Sequence, residues 1–195
     1  MNTAPNAYWE ARKDILYYQV VRIICEHIGK KAESIIDVGS AGCPVVDWYP
    51  WIPERSSIDI SRPYEAADVT SFKEDFLSWM PDKHYEIVTC LQVLEHITDA
   101  KSFAKKLLEL GKTLIVTVPY KWKEDKTASH IHDPVDEQKM FDWFGREPNF
   151  QYVCTEVKAP VDRLVQVYEP FPEKWTALNR RDRVLIDRRK ETVIL

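Results

Sequence analysis

Hydrophobic positions recur at helical spacing over residues 8–29, where Trp9, Ile15, Leu16, Val20, Ile23, Ile24 and Ile28 share a stripe that stops at Gly29. One opening amphipathic helix is predicted there. The period then shortens: Ser34–Val38 is an apolar run closed by Gly39-Ser40-Ala41-Gly42, the pattern of a strand entering a glycine-containing turn. Further short strands fit 57–60 and 67–70, and Tyr85–Leu91 reads as a buried strand. Helical spacing returns over 99–110 through Ala100, Phe103, Ala104, Leu107 and Leu108, and Gly111 ends it before a strand at 113–118. A helix is predicted over 134–145, with Pro134 in its first turn and Gly145 at its end. Two alternating segments, 150–158 and 163–168, then suggest a closing antiparallel hairpin. The succession predicts an α/β fold: a doubly wound, mainly parallel sheet with helices on both faces, whose ligands sit beyond the strands' carboxyl ends.

Composition narrows this picture. The 195 residues are 45% hydrophobic and 12% aromatic, enough for one compact core and too much for disorder. No apolar run is long enough to cross a bilayer, and the first residues lack the pattern of a signal peptide, so a cytoplasmic protein with no membrane partner is expected. The formal net charge of −4 argues against nucleic acid as the partner, although residues 179–190 hold six basic and two acidic side chains. Cys25, Cys43, Cys90 and Cys154 form no C-x-x-C pair, so reduced, buried thiols are expected rather than a zinc ribbon or a disulfide framework.

Candidate chemistry lies at the predicted strand ends. Asp37 precedes the Gly39–Gly42 turn, where a carboxylate would repel phosphates but suit an ammonium-bearing ligand. The turn also lacks the G-x-G-x-x-G frame of a dinucleotide site. Asp59 follows Asp37 by 22 residues, about the interval at which an acid accepts hydrogen bonds from ribose hydroxyls. Asp68 is placed to accept from an exocyclic adenine amine, and Gln92-Val93-Leu94-Glu95-His96 follows the fourth strand directly.

The segments IIDVGSAGCP, SIDIS, the acid of AADVT, YEIVTCLQVLEHI and TLIVTVPY resemble, in order, the motifs of class I S-adenosyl-L-methionine-dependent methyltransferases over roughly residues 34–170. The resemblance implies a seven-stranded Rossmann-like sheet with that cofactor bound along it. Asp37, Gly39, Ser40 and Gly42 would surround the methionine moiety, Asp59 and Ile60 the ribose, Asp68 and Val69 the adenine, with Leu91 and Gln92 alongside. It divides the chain into a helical lid over residues 1–33, a catalytic core over 34–170 and an extension over 171–195. Two departures stand out: Gly39-Ser-Ala-Gly42-Cys43-Pro44 replaces the common G-x-G-x-G, and the first crossover is short and broken by prolines.

Transfer to a hydroxyl requires a general base, and Ser129-His130-Ile131-His132-Asp133 offers the best candidates. In extended backbone His130 and His132 would point to one side, with Asp133 beside them; a bland alternative makes Asp133 the cap of the next helix. No metal is assigned. A divalent site of Glu95, His96 and one of the later histidines, similar to that of small-RNA 2′-O-methyltransferases, is the alternative, weakened because Gln92 stands where the first glutamate of E-x-x-E-H would be. Arg12, among the aromatic residues of the first helix, is a candidate for the cofactor carboxylate, and Lys121, Lys123 and Lys126 for a phosphate. The expected acceptor is a small molecule or a sugar precursor. An NAD-dependent dehydrogenase and a non-catalytic cofactor-binding protein are the competing classes.

Overall fold

The computed structural model describes residues 7–124, 127–157 and 161–175. Two short helices, α1 (Ala7–Glu10) and α2 (Leu16–Ile28), lead into β1 (Ser34–Val38), and a 3₁₀ turn at Val45–Trp48 leads to β2 (Glu54–Ile58). Then follow β3 (Val69–Phe72), β4 (Tyr85–Leu91), a 3₁₀ turn at Leu94–His96, α3 (Ala100–Leu110) and β5 (Gly111–Pro119). The last elements are α4 (Glu137–Phe144), β6 (Phe150–Thr155) and β7 (Asp162–Tyr168). The seven strands form one sheet in the order β3-β2-β1-β4-β5-β7-β6. Every pairing from β3 to β5 is parallel, whereas β7 runs antiparallel to both β5 and β6.

The pleat sends alternate residues to opposite faces and so builds two cores. Ile35, Ile87, Ile115 and Val165 join Val21, Ile24 and Ile28 of α2 on one face. Ile36, Val88, Val116 and Leu164 meet Phe103, Leu107 and Met140 of α3 and α4 on the other. The expected two-sided α/β sheet with its closing hairpin is therefore present. Between β2 and β4, however, turns stand where a regular doubly wound fold has helices.

Several local expectations are corrected. The opening helix is broken at residues 11–15: the backbone N–H groups of Arg12 and Lys13 both reach Trp9 O, and Ile15 is extended. The break lets Trp9 tuck between Tyr18 and Trp48, at ring centroid distances of 5.2 and 5.1 Å. The second strand lies at 54–58 rather than 57–60, and β3 at 69–72 rather than 67–70. Pro134 is outside α4, because Asp136 caps the helix, its side chain accepting from Lys139 N at 2.9 Å. Asp133 is therefore not the cap. Lys126 and the basic segment 179–190 lie outside the described residues.

Candidate active site

Asp37 on β1 sits in register with Thr89 on β4, whose hydroxyl donates to Oδ1 at 2.6 Å. Burial pushes this carboxyl up to about 7, although the Thr89 bond works in the other direction. Oδ2 accepts no hydrogen bond from a described residue. Beyond β1 the chain turns through left-handed backbone at Gly39 (φ 77°), Ala41 (φ 50°) and Gly42 (φ 73°). Gly39 has a second reason to be glycine: a Cβ there would lie 2.5 Å from a Val93 methyl. The turn thereby closes against the segment leaving β4.

Asp59 ties the same turn to the end of β2. Its Oδ2 accepts from Ala41 N at 2.9 Å, and its Oδ1 from Ser61 N and Arg62 N, both at 2.8 Å. Partial burial would raise its pKa, but these backbone donors more than offset that and hold it below the ordinary carboxylate value. Ser40 faces inward, its hydroxyl bridging Ser57 Oγ at 2.8 Å and Tyr64 N at 3.0 Å. Ile60 is exposed beside Asp59, Leu91 is buried at the end of β4, and Gln92 follows in left-handed backbone (φ 58°). Arg12 folds over the Tyr8 ring at 4.0 Å.

Asp68 is not part of this group. It precedes β3, and its carboxylate pairs with Arg55 near the start of β2, at the sheet edge opposite Asp37 and Asp59. Val69, as the first residue of β3, lies at that edge too. The carboxylates beyond the other end of β3 are Glu74 and Asp75, which the sequence reading missed; Asp75 Oδ1 accepts from Leu77 N at 3.0 Å. The signal was present in SFKEDF, where two acids follow the β3 run after a single lysine.

A second cluster gathers where β4, β5 and β7 end. His130 Nδ1 contacts Asp133 Oδ2 at 2.8 Å, with both side chains nearly enclosed. His96 Nδ1 meets the carbonyl of Ser129 at 2.8 Å, and the two imidazoles stand edge to face at 4.8 Å. Since carboxylate and carbonyl oxygens only accept, both rings carry their proton on Nδ1 and leave the Nε2 lone pair free. Glu95 completes the group. Its carboxyl is 1% exposed, neither oxygen accepts a geometrically sound hydrogen bond among the described residues, and burial pushes it up to about 8 despite the opposing pull of its own backbone N–H and, after it, of Arg163. Ligand atoms of Glu95, His96 and His130 all lie within 4.8 Å of one another.

His132 is not beside His130, as extended backbone would have it. The segment turns, so that His132 Nε2 donates to Ile97 O at 2.8 Å and its ring packs edge-on to Trp143. Two further residues that the sequence reading passed over complete the site: Trp122 stacks on His130 at 5.6 Å, and Arg163 lies over Trp122 at 4.4 Å while its Nη1 donates to Gln92 Oε1. Gln92 Nε2 donates in turn to Thr117 Oγ1 at 3.1 Å, so this residue bridges the end of β5 and the start of β7. Lys121, paired with Glu137, and Lys123 are exposed beside them.

No family model and no curated protein matches this sequence. Solved structures do. The N-methyltransferase NodS from Bradyrhizobium japonicum WM9, in complex with S-adenosyl-L-homocysteine, is 13% identical, with a TM-score of 0.63 over 82% of this chain and 91% of that one. The 1,6-didemethyltoxoflavin-N1-methyltransferase from Burkholderia thailandensis, with bound 1,6-didemethyltoxoflavin and S-adenosylhomocysteine, is 14% identical, with a TM-score of 0.64 over 82% and 80%. The methyltransferase domain of bacterial CtHen1 is 14% identical, with a TM-score of 0.56 over 78% and 97%. At such identities the likeness is one of fold: the chain has the Rossmann-like fold of the class I methyltransferases.

Proposed function

We propose that this protein, folded as a class I methyltransferase, moves a methyl group from S-adenosyl-L-methionine to an oxygen or nitrogen of a small molecule or sugar precursor. The observation that carries this is the meeting, at one end of the sheet, of an acid-and-glycine turn with a buried histidine–carboxylate pair, the two joined by the segment leaving β4, where Val93 faces Gly39 and Glu95 and His96 stand beside His130. Neighbours of the same fold crystallised with S-adenosylhomocysteine support the choice of cofactor. The residues present fit it. Asp37 has an oxygen without a partner for the amino group, with Gly39, Ser40 and Gly42 around it; Asp59 is held ionised for the ribose hydroxyls; Leu91 and Gln92 run alongside. Asp75 takes the adenine role expected of Asp68.

When bound, this cofactor supplies a methyl group on a sulfonium, so what the protein must add is alignment and, for a protonated nucleophile, removal of a proton. His130 Nε2 accepts that proton. Asp133 holds the ring through Nδ1 and stabilises the imidazolium that results. Trp122, stacked on the His130 ring, restricts water on that side. The test is thermal shift and calorimetry with S-adenosyl-L-homocysteine. The wild type should be stabilised, and Asp59→Ala should weaken binding about tenfold or more, as expected for loss of a charged hydrogen-bond acceptor. Absence of stabilisation, stabilisation by NAD instead, or indifference to Asp59→Ala would each overturn the reading. Tight binding with no transfer to a broad acceptor panel would favour the non-catalytic alternative.

A second reading is favoured by the convergence of Glu95, His96 and His130 and by the orphaned oxygens of Glu95. Two neutral Nε2 donors whose Nδ1 groups are already anchored, plus one carboxylate, are a ligand set for a divalent cation, which would polarise the acceptor hydroxyl. Titration of the protein with Co²⁺, followed by its visible absorption, decides: bands that appear in the wild type and vanish in His96→Ala support the cation, whereas no bands and turnover unaffected by chelator leave His130 as the base.

A further inference from the structure

The first core and the catalytic cluster share one charge that neither uses. Arg163, on the α2 side of β7, is half-buried, lies 4.4 Å above Trp122 and 5.5 Å from the Tyr17 ring, and has no carboxylate within ion-pair distance among the described residues. A guanidinium carries five N–H groups. Only Nη1 is engaged, by Gln92 Oε1; the Nε–H is buried without an acceptor, and Nη2 donates to nothing in the described structure. Nε is closed off by its surroundings, so Nη2 is the donor the described residues leave open to a carboxylate or phosphate. Aromatic rings and Gln92 fix the plane of the fork, so this donor is oriented before any ligand arrives.

Its place in the sheet says which ligand. In the order β1-β4-β5-β7, three strand spacings, about 14 Å, separate Arg163 from the Asp37 turn. It stands on the His130 side, since the Trp122 ring contacts both the guanidinium and the imidazole. We infer that Arg163 binds an oxyanion, a phosphate or carboxylate, carried by the methyl acceptor, whose reacting oxygen or nitrogen lies at His130, across the Trp122 contact the two residues share. This rests on the methyltransferase reading and narrows its substrate class from any small molecule to an anionic one, such as a sugar phosphate or a hydroxy acid. Lys123, exposed in the loop after β5, is the competing cation.

The test uses inorganic phosphate and acetate as probes, at matched ionic strength, on full-length protein with and without saturating S-adenosyl-L-homocysteine. At about ten times its dissociation constant, an oxyanion should raise the Tm by about 3 °C, with that rise lost in Arg163→Gln, largely lost in Arg163→Lys, and kept in Lys123→Ala. Phosphate without acetate would point to a phosphorylated acceptor; both together, to either class. Saturating phosphate must also leave the affinity of the wild type for S-adenosyl-L-homocysteine unchanged. Competition between the two would assign the guanidinium to the cofactor carboxylate and overturn the inference, as would a rise that survives both Arg163 variants or no rise with either anion. Failure of the wild type to bind S-adenosyl-L-homocysteine is a separate result: it removes the methyltransferase reading, while the anion shift is still read on the unliganded protein.

Discussion

A neutral imidazole offers one lone pair, and the partner of its other nitrogen decides which. At His130 the partner is the carboxylate of Asp133, so the free lone pair belongs to Nε2 and the positive charge left by a captured proton is balanced beside it. At His132 the ring donates to the Ile97 carbonyl, which anchors a loop but cannot hold a charge in the same way. The two should therefore respond differently. With an acceptor found in the panel, His130→Gln should lower kcat about 100-fold with S-adenosyl-L-homocysteine affinity unchanged. His132→Gln should keep kcat within about threefold and lower the Tm, through loss of a partly buried hydrogen bond. Equal losses of kcat in both would mean that the Asp133 partnership is not what matters. The chemistry of this pair was open to sequence reasoning, because acid and histidine lie three residues apart. The role of His132 was not, because the turn that sends it to Ile97 depends on contacts with the segment after β4.

Helix α2 begins without a cap of its own, since Ile15 makes no side-chain bond to the first turn. The missing acceptor comes from the far end of the chain. Glu156, directly after β6, accepts from Leu16 N at 2.7 Å and Tyr17 N at 3.1 Å, joining residues 140 and 139 positions apart. Its negative charge also sits at the positive end of the helix. Glu156→Ala should cost about 2 kcal/mol and Glu156→Gln about half of that, read from urea unfolding midpoints at constant m. No loss in either would show that solvent serves the helix end equally well. Elements set by their own sequence, such as β4 and α3, were legible almost to the residue, because an uninterrupted apolar run and a full amphipathic period need no outside help. The opening helix was misread because its break is made by Trp9 packing on Trp48. Misplacing β3 toward its start had a larger effect, since it put the adenine candidate on Asp68, at the end of the sheet away from Asp37 and Asp59.

Across the whole molecule, the cost of the site appears as a proton. Asp37 is held protonated up to about pH 7 by burial, whereas in the unfolded chain it ionises near 4. Between those values the native state binds a proton that the unfolded state has lost, so this group makes stability fall as pH rises from about 4 to about 7 and adds no further slope above. A ligand amino group beside Asp37 favours its charged form and reverses that loss. The Tm increment given by S-adenosyl-L-homocysteine should therefore grow from pH 5 to pH 8 in the wild type and stay flat in Asp37→Asn; a flat wild type would separate Asp37 from the ligand. That the acids at the ends of β1 and β2 belong to one site was legible from their spacing. That Arg163 and Trp122 join them was not, because it depends on β7 entering the sheet between β5 and β6.

That insertion also governs how the chain reaches its fold during synthesis. Translation delivers β5 and then β6, yet among the described residues β6 pairs only with β7, the last of the described strands to be made. Until residues 162–168 have left the ribosome, the outer edge of β5 is an open ladder of backbone donors and acceptors, and the first turn of α2 is waiting for Glu156. The nascent chain thus carries an unpaired, apolar edge while residues 120–168 are made, and that interval is when a chaperone has most to protect.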